Sequence, residues 1–246
     1  MFDSFLSAAR ERYLADLTQQ ELTRALRALS SIYVERRSKL ASGDAMGTAG
    51  KRAAFALFYG PLHFLTVREI ARALTASTGA STQVVDLGCG TGAAGGAWAL
   101  ETGAGIEGYD VNAWAVAEAG WTYRTLGLRG SARRVPIDRV KLHDTHSDLI
   151  VAYVLNELPG DTRERMRGRL FDASRNGHRL VIVEPLARAA APWWPEWERD
   201  ALACGGRADE WRFKAALPEF LRTLDKGAGL DHRELTARTL AIGFQK

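Results

Sequence analysis

The residues best suited to chemistry gather in one short stretch, Gln83-Val84-Val85-Asp86-Leu87-Gly88-Cys89-Gly90-Thr91-Gly92-Ala93-Ala94. A β-branched apolar run stops at an acid, passes three glycines spaced by two and enters an alanine-rich helical pattern, which predicts a strand, a tight turn and a helix. Glycine admits positive φ and lets a ligand approach the backbone closely, and the first amides of the helix offer unsatisfied donors. A small ligand is expected here.

Two ligand classes use such a turn. Gly88-Cys89-Gly90-Thr91-Gly92-Ala93 fits the dinucleotide pattern G-x-G-x-x-A, and Asp110 lies 20 residues beyond Gly90, where that pattern wants an acid for a ribose hydroxyl. Asp86 argues against a dinucleotide, because a carboxylate two residues before the first glycine would stand close to a pyrophosphate. A positively charged ligand gains from the same carboxylate. S-adenosylmethionine (SAM) carries an ammonium and a sulfonium, and its ribose still needs an acid at the end of the second strand. The plainer alternative is that Asp86 caps the turn and Asp110 is a surface acid.

A second group of polar residues closes an apolar run in Val151-Ala152-Tyr153-Val154-Leu155-Asn156-Glu157-Leu158-Pro159. Glu157 is a candidate general base or a cap for the next helix, and Asn156 orients an acceptor atom or forms a turn. Tyr153 belongs to the acceptor pocket or to the core. Glu184-Pro185 ends a further apolar run, followed by Trp193, Trp194 and Trp197. These indoles make either an aromatic wall beside a sulfonium or a packed cover. Arg163, Arg165, Arg167 and Arg169 invite a nucleic-acid reading, but at helical spacing they fall on two sides and fit a solvated face. Arg207, Glu210 and Arg212 interleave with aromatic residues after a glycine pair, as an anion-binding loop or an internal ion-pair network.

The elements that must position these groups follow from periodicity. Residues 1–78 read as a helical extension, with Thr18-Gln19-Gln20-Glu21 as a capping box and residues 38–50 as a glycine-punctuated loop able to act as a lid. From residue 79 to 246 strands and helices alternate, the pattern of a doubly wound α/β domain. Strands are predicted at 83–87, 105–109, 131–135, 148–154 and 179–184, helices at 92–101, 112–126, 161–174 and near 214–226, and the tail from Glu234 as one long strand or two short ones.

Composition sets outer limits. With 46% hydrophobic and 25% charged residues in 246, the chain is an ordinary globular protein with a net charge of +4, which permits an anionic partner without requiring one. No apolar run reaches membrane-span length and the N-terminus lacks a signal-like core, so a cytoplasmic location and no membrane partner are expected. Cys89 and Cys204 are too few and too far apart for a disulfide framework, and no metal is expected.

Asp86-Leu87-Gly88-Cys89-Gly90-Thr91-Gly92 followed by Gly108-Tyr109-Asp110 resembles the first two motifs of the class I, Rossmann-like SAM-dependent methyltransferases. The resemblance implies a seven-stranded, mostly parallel sheet with an antiparallel last strand. It also implies that the glycine turn (Asp86, Gly88, Gly90, Gly92) meets the amino-acid part of SAM and that Asp110 binds both ribose hydroxyls. Asp138 stands where the family often has an acid for the adenine amino group, or is a plain loop residue. Tyr59 and His63 flank Gly60-Pro61 in an extension that often folds over the SAM pocket; His63 is a base or a structural hydrogen-bonder. The implied function is methyl transfer to a nitrogen, oxygen or sulfur of a small-molecule acceptor. Tyr153-Val154-Leu155-Asn156-Glu157-Leu158-Pro159 with Val181-Ile182-Val183-Glu184-Pro185 also resembles the methyltransferase-like proteins that assist small-ribosomal-subunit assembly, although the cysteines typical of that group are missing. An RNA-binding or ribosome-assembly factor that binds SAM is therefore the second expectation, and an NAD(P)-dependent oxidoreductase the third.

Overall fold

Val84, Val85 and Leu87, then Leu149 to Val151, then Leu180 to Val183, are buried on both alternating sides, as strands covered on both faces must be. In the computed structural model, which describes residues 1–35, 47–76, 78, 81–142, 146–187 and 191–244, they are the inner strands of a seven-stranded sheet. The strands are β1 (Gln83–Leu87), β2 (Gly105–Asp110), β3 (Gly130–Arg134), β4 (Asp148–Ala152), β5 (Arg179–Glu184), β6 (Arg207–Lys214) and β7 (Glu234–Ile242). Their order is β3-β2-β1-β4-β5-β7-β6. The first five run parallel and β7 pairs antiparallel with β5, Glu184 opposite Arg238.

The helices are α1 (Phe2–Leu14), α2 (Gln19–Glu35), α3 (Ala49–Ala54), α4 (Gly60–Thr75), α5 (Ala93–Thr102), α6 (Ala113–Thr125), α7 (Gly160–Arg175), α8 (Trp194–Ala203) and α9 (Glu219–Gly227). The capping box forms before α2: Glu21 Oε2 accepts from the Thr18 amide at 2.9 Å while Thr18 Oγ1 accepts from the Glu21 amide at 3.3 Å. Residues 38–46 of the expected lid loop lie outside the described residues, and Thr48 caps α3 through the Lys51 amide at 3.2 Å.

Two compact units make up the chain. One comprises Met1–His63 with Lys214–Leu235, the other Phe64–Phe213 with Thr236–Lys246. The second holds the sheet and a core in which Met166, Leu170 and Phe171 of α7 and Trp194, Trp197 and Ala201 of α8 join the apolar side chains of β1, β4 and β5. At the amino end of the sheet the carboxylate of Asp148, 1% exposed, accepts from Arg179 Nε at 2.6 Å and from the Trp98 indole at 2.7 Å.

Two expectations need correction. The segment 207–214 is the edge strand β6, and the helix expected near 214 starts only at Glu219, after Pro218. Edge strands carry charges that discourage further pairing, so Arg207-Ala208-Asp209-Glu210-Trp211-Arg212 lacks the apolar alternation by which inner strands are recognised. The tail is the single strand β7.

Candidate functional site

The strand order changes direction between β1 and β4: successive strands run outward from β1 to β3, and the chain then returns to the other side of β1. Ligands of doubly wound sheets bind beyond the carboxyl ends of the strands at such a point. The loops that emerge there are 88–92 after β1, Val111 and Asn112 after β2, 153–157 after β4 and Pro185 onward after β5. The candidate residues of the second unit therefore converge because their strands are neighbours.

The glycine turn is built for two purposes. Gly88 has φ +77°, and a Cβ there would stand 2.5 Å from Val154 Cγ2, so this glycine lets the two loops meet. Gly90 has φ +52°, and a Cβ there would meet no heavy atom within 4 Å. Its missing side chain leaves backbone exposed on the open side of the turn, the side from which a ligand can reach it. The Gly90 amide donates to Asp110 Oδ2 at 3.0 Å and the Asn112 amide to Asp110 Oδ1 at 2.8 Å. Each oxygen retains acceptor capacity. Asn112 Oδ1 in turn caps α6 through Trp114 at 2.9 Å.

Asp86 faces the interior, against Gly95 near the start of α5. It is 1% exposed; burial first and the Asp110 charge second push its carboxyl up to about 7, opposed by hydrogen bonds from the Gly95 amide and Tyr123. It braces the turn from behind.

On the β4 side, Tyr153 has φ +60°, the one positive value at a non-glycine among the described residues. Such strain gathers at functional loops. Its amide still bonds the Val183 carbonyl at 2.8 Å and its phenol bonds Thr66 of α4. The following 3₁₀ turn, Leu155–Glu157, hangs on Glu184: Oε1 accepts from the Leu155 amide at 3.1 Å and Oε2 from Asn156 Nδ2 at 2.6 Å. Asn156 Oδ1 accepts from the Trp193 indole at 3.1 Å, so both ends of its amide are engaged. Burial, with a smaller contribution from Glu157, pushes Glu184 up to about 8. Glu157 is half-buried, and burial followed by the Asp110 charge brings it to about 7.

Other candidates have partners of their own. Asp138, just past the carboxyl end of β3, pairs with Arg165 at 3.1 Å. Arg207 forms a two-pronged ion pair with Asp209 at 2.7 Å. It opens β6 beside the end of β7, since a Cβ on Gly206 would touch Ala241 and Ile242, and Ile242 lies opposite Leu180 at the start of β5. The structure thus puts Arg207, in its ion pair with Asp209, at the amino end of the sheet.

Trp194 packs in the core under the Arg238 guanidinium, 4.1 Å from its ring centre, and Trp193 stacks edge-on to Trp197 at 5.0 Å. Tyr59 and His63 belong to the first unit. Tyr59 closes the π-helical turn Phe55–Tyr59 and bonds Ser30, and desolvation holds the His63 imidazole down at about 3, neutral at physiological pH.

The arginines of α7 are structural. Arg163 donates to the Leu155 and Leu158 carbonyls at 3.3 and 3.1 Å, Arg167 binds Glu196 and Asp200, and Arg169 donates to the carbonyls of Ile137 and Val140. One residue escaped sequence reasoning: Val111, 56% exposed directly after Asp110, is a large apolar side chain in water beside a polar site. The signal was its position after the acid that ends a strand.

No protein-family model matches the sequence, and no curated protein matches it at a significant level. Solved structures do resemble it. A Nostoc punctiforme PCC 73102 protein provisionally assigned as an O-methyltransferase aligns over 89% of this chain and 72% of its own, at 14% identity and a TM-score of 0.56. The methyltransferase domain of a bacterial Hen1 protein aligns over 74% of this chain and 99% of its own, at 14% identity and a TM-score of 0.52. The plantazolicin methyltransferase BpumL, in complex with SAH, aligns over 96% and 99%, at 11% identity and a TM-score of 0.50. Likeness at such identities is a likeness of architecture, and with the strand order above it establishes that this chain has the fold of the class I, Rossmann-like methyltransferases.

Proposed function

We propose that the protein is a SAM-dependent methyltransferase acting on a nitrogen, oxygen or sulfur of a small-molecule acceptor. The observation that carries the reading is the joining of Gly90 to Asp110: a glycine amide with open space beside it is held against a carboxylate at the end of the second strand. Two further features support it. The Asp110 charge raises both Asp86 behind the turn and Glu157 on the rim, and Glu157 raises Glu184, so this end of the sheet favours a cationic ligand over a pyrophosphate. The exposed Val111 gives an aromatic base an apolar face beside the ribose acid.

These residues fit SAM. Asp110 would bind the ribose hydroxyls, the open backbone face at Gly90 would lie against the amino-acid part, and Asp86 would hold that turn in place, while the Gly88, Cys89, Gly90 and Gly92 amides stay engaged with Tyr109, Asp110 and Cys89. Bound there, SAM supplies an electrophilic methyl group on a sulfonium. The chain's own part is positioning and proton handling. Glu157 is the base in this reading: near neutral pH it is partly ionised, so it can accept the proton an acceptor releases. Asn156 and Glu184 hold the turn that carries it. Asp138 and Arg207, engaged in ion pairs, and Tyr59 and His63, in the other unit, are given no part.

Calorimetric titration with SAM and with its demethylated product tests the reading. Both should bind, and Asp110→Ala should weaken each at least tenfold. Binding of NAD in place of SAM, or wild-type affinity in the variant, would refute it.

A further inference from the structure

We infer that the outer edge of β3 and the segments flanking it form a docking surface for the phosphate backbone of a nucleic acid. Residues 124–141 contain Arg124, Arg129, Arg133, Arg134, Arg139 and Lys141 against the single acid Asp138, a net charge of +5. The whole chain carries +4, so the remainder is at −1. The positive charge is concentrated in this stretch rather than spread over the surface.

The structure turns that stretch into a surface. β3 is the terminal strand of the sheet. All six basic side chains are exposed. The acids that face them are nearly consumed. Glu107, on the neighbouring strand, stands 3.7 Å from Arg133, and Asp138 is taken by Arg165 of α7. Arg134, exposed, donates Nε to the Val111 carbonyl at 2.8 Å, and its terminal nitrogens make no hydrogen bond among the described residues. Arg124, Arg129, Arg139 and Lys141 have no carboxylate partner among the described residues.

Five of the six groups are guanidinium, whose fork matches two phosphate oxygens at once. A five-residue strand spans roughly 16 Å, the length of about four or five phosphates along one strand of a duplex. The contrast with α7 is informative. Its arginine run looks like a nucleic-acid motif in sequence, yet its members are spent on carbonyls and carboxylates, while the unspent charge lies on β3. Basic residues also protect an edge strand from pairing with another chain, and the experiment separates that role from binding.

This inference does not depend on SAM binding. The wild-type chain should retain a labelled single-stranded RNA of about 20 nucleotides, with log affinity falling against log salt at a slope of about −3, the value for about four neutralised phosphates. A quadruple variant, Arg124→Gln, Arg129→Gln, Arg139→Gln and Lys141→Gln, should bind at least tenfold more weakly with a slope nearer zero and an unchanged unfolding midpoint. A control that removes as many exposed charges elsewhere (Arg10→Gln, Arg72→Gln, Arg175→Gln, Arg222→Gln) should bind within about twofold of wild type. Absence of RNA binding at low salt, equal losses in the two variants, or tighter attachment to phosphatidylserine vesicles than to RNA would each overturn the inference.

Discussion

Glu157 is the residue whose environment says most about chemistry. It is half-buried, raised by burial and by the Asp110 charge, itself raises Glu184, and no hydrogen bond to its carboxylate is found among the described residues. With a carboxyl near 7, it gains base strength as pH rises through that value. Once an acceptor is known, turnover should climb with a single ionisation near pH 7 in the wild type, and Glu157→Gln should lose that limb together with at least a tenfold part of the rate. A variant that keeps both would remove Glu157 from the mechanism. Asn156 reads differently in the structure than in the sequence, because its amide joins Glu184 to Trp193 and so holds the rim together.

Among the elements, the glycine turn divides its labour between glycines that look equivalent in sequence. Gly88 makes room for Val154, whereas Gly90 presents bare backbone on the open side. Gly88→Ala therefore combines a left-handed backbone penalty with a clash, and should cost about 2 kcal/mol or more of stability. Gly90→Ala carries roughly the 1 kcal/mol backbone cost alone, but its methyl would project where the ligand must approach. Urea denaturation should show the larger loss for Gly88→Ala, while calorimetry should show at least a tenfold loss of SAM affinity in Gly90→Ala. The reverse ranking would contradict this division. The same scale explains β6: nothing in its charged sequence announces a strand, and it exists because β7 offers it an edge.

For the molecule as a whole, the buried acids link stability to pH. Asp86 and Glu157 are held near 7 and Glu184 near 8, above their ordinary values of 3.8 and 4.5. The folded chain thus retains protons that the unfolded chain gives up between about pH 4 and 8, and this contribution to stability falls as pH rises through that window. The thermal midpoint should decline from pH 5 to pH 8, and Glu184→Gln should flatten the decline. A cation bound at the rim favours the ionised acids, so SAM binding near pH 7 should release protons, detectable as a buffer-dependent calorimetric heat. A midpoint that rises across the window would overturn this account. No described helix is long and apolar enough to cross a membrane.

The sequence by itself determined the features that are local. The strand, turn and helix around Asp86 to Ala94, and the acid at Asp110, lie within one βαβ unit, where glycine φ preferences and strand periodicity act over a few residues. The α/β architecture followed from the same alternation. Tertiary structure decided what depends on partners distant in the chain. Glu184 meets Asn156 across 28 residues and Trp193 meets Asn156 across 37, Asp138 is claimed by Arg165, and Arg207 is carried to the far end of the sheet. Periodicity records which face of an element is buried. It does not record which element will cover that face, so the glycine turn could be read from the sequence while the rim opposite it, and the unspent charge on β3, emerged only from the fold.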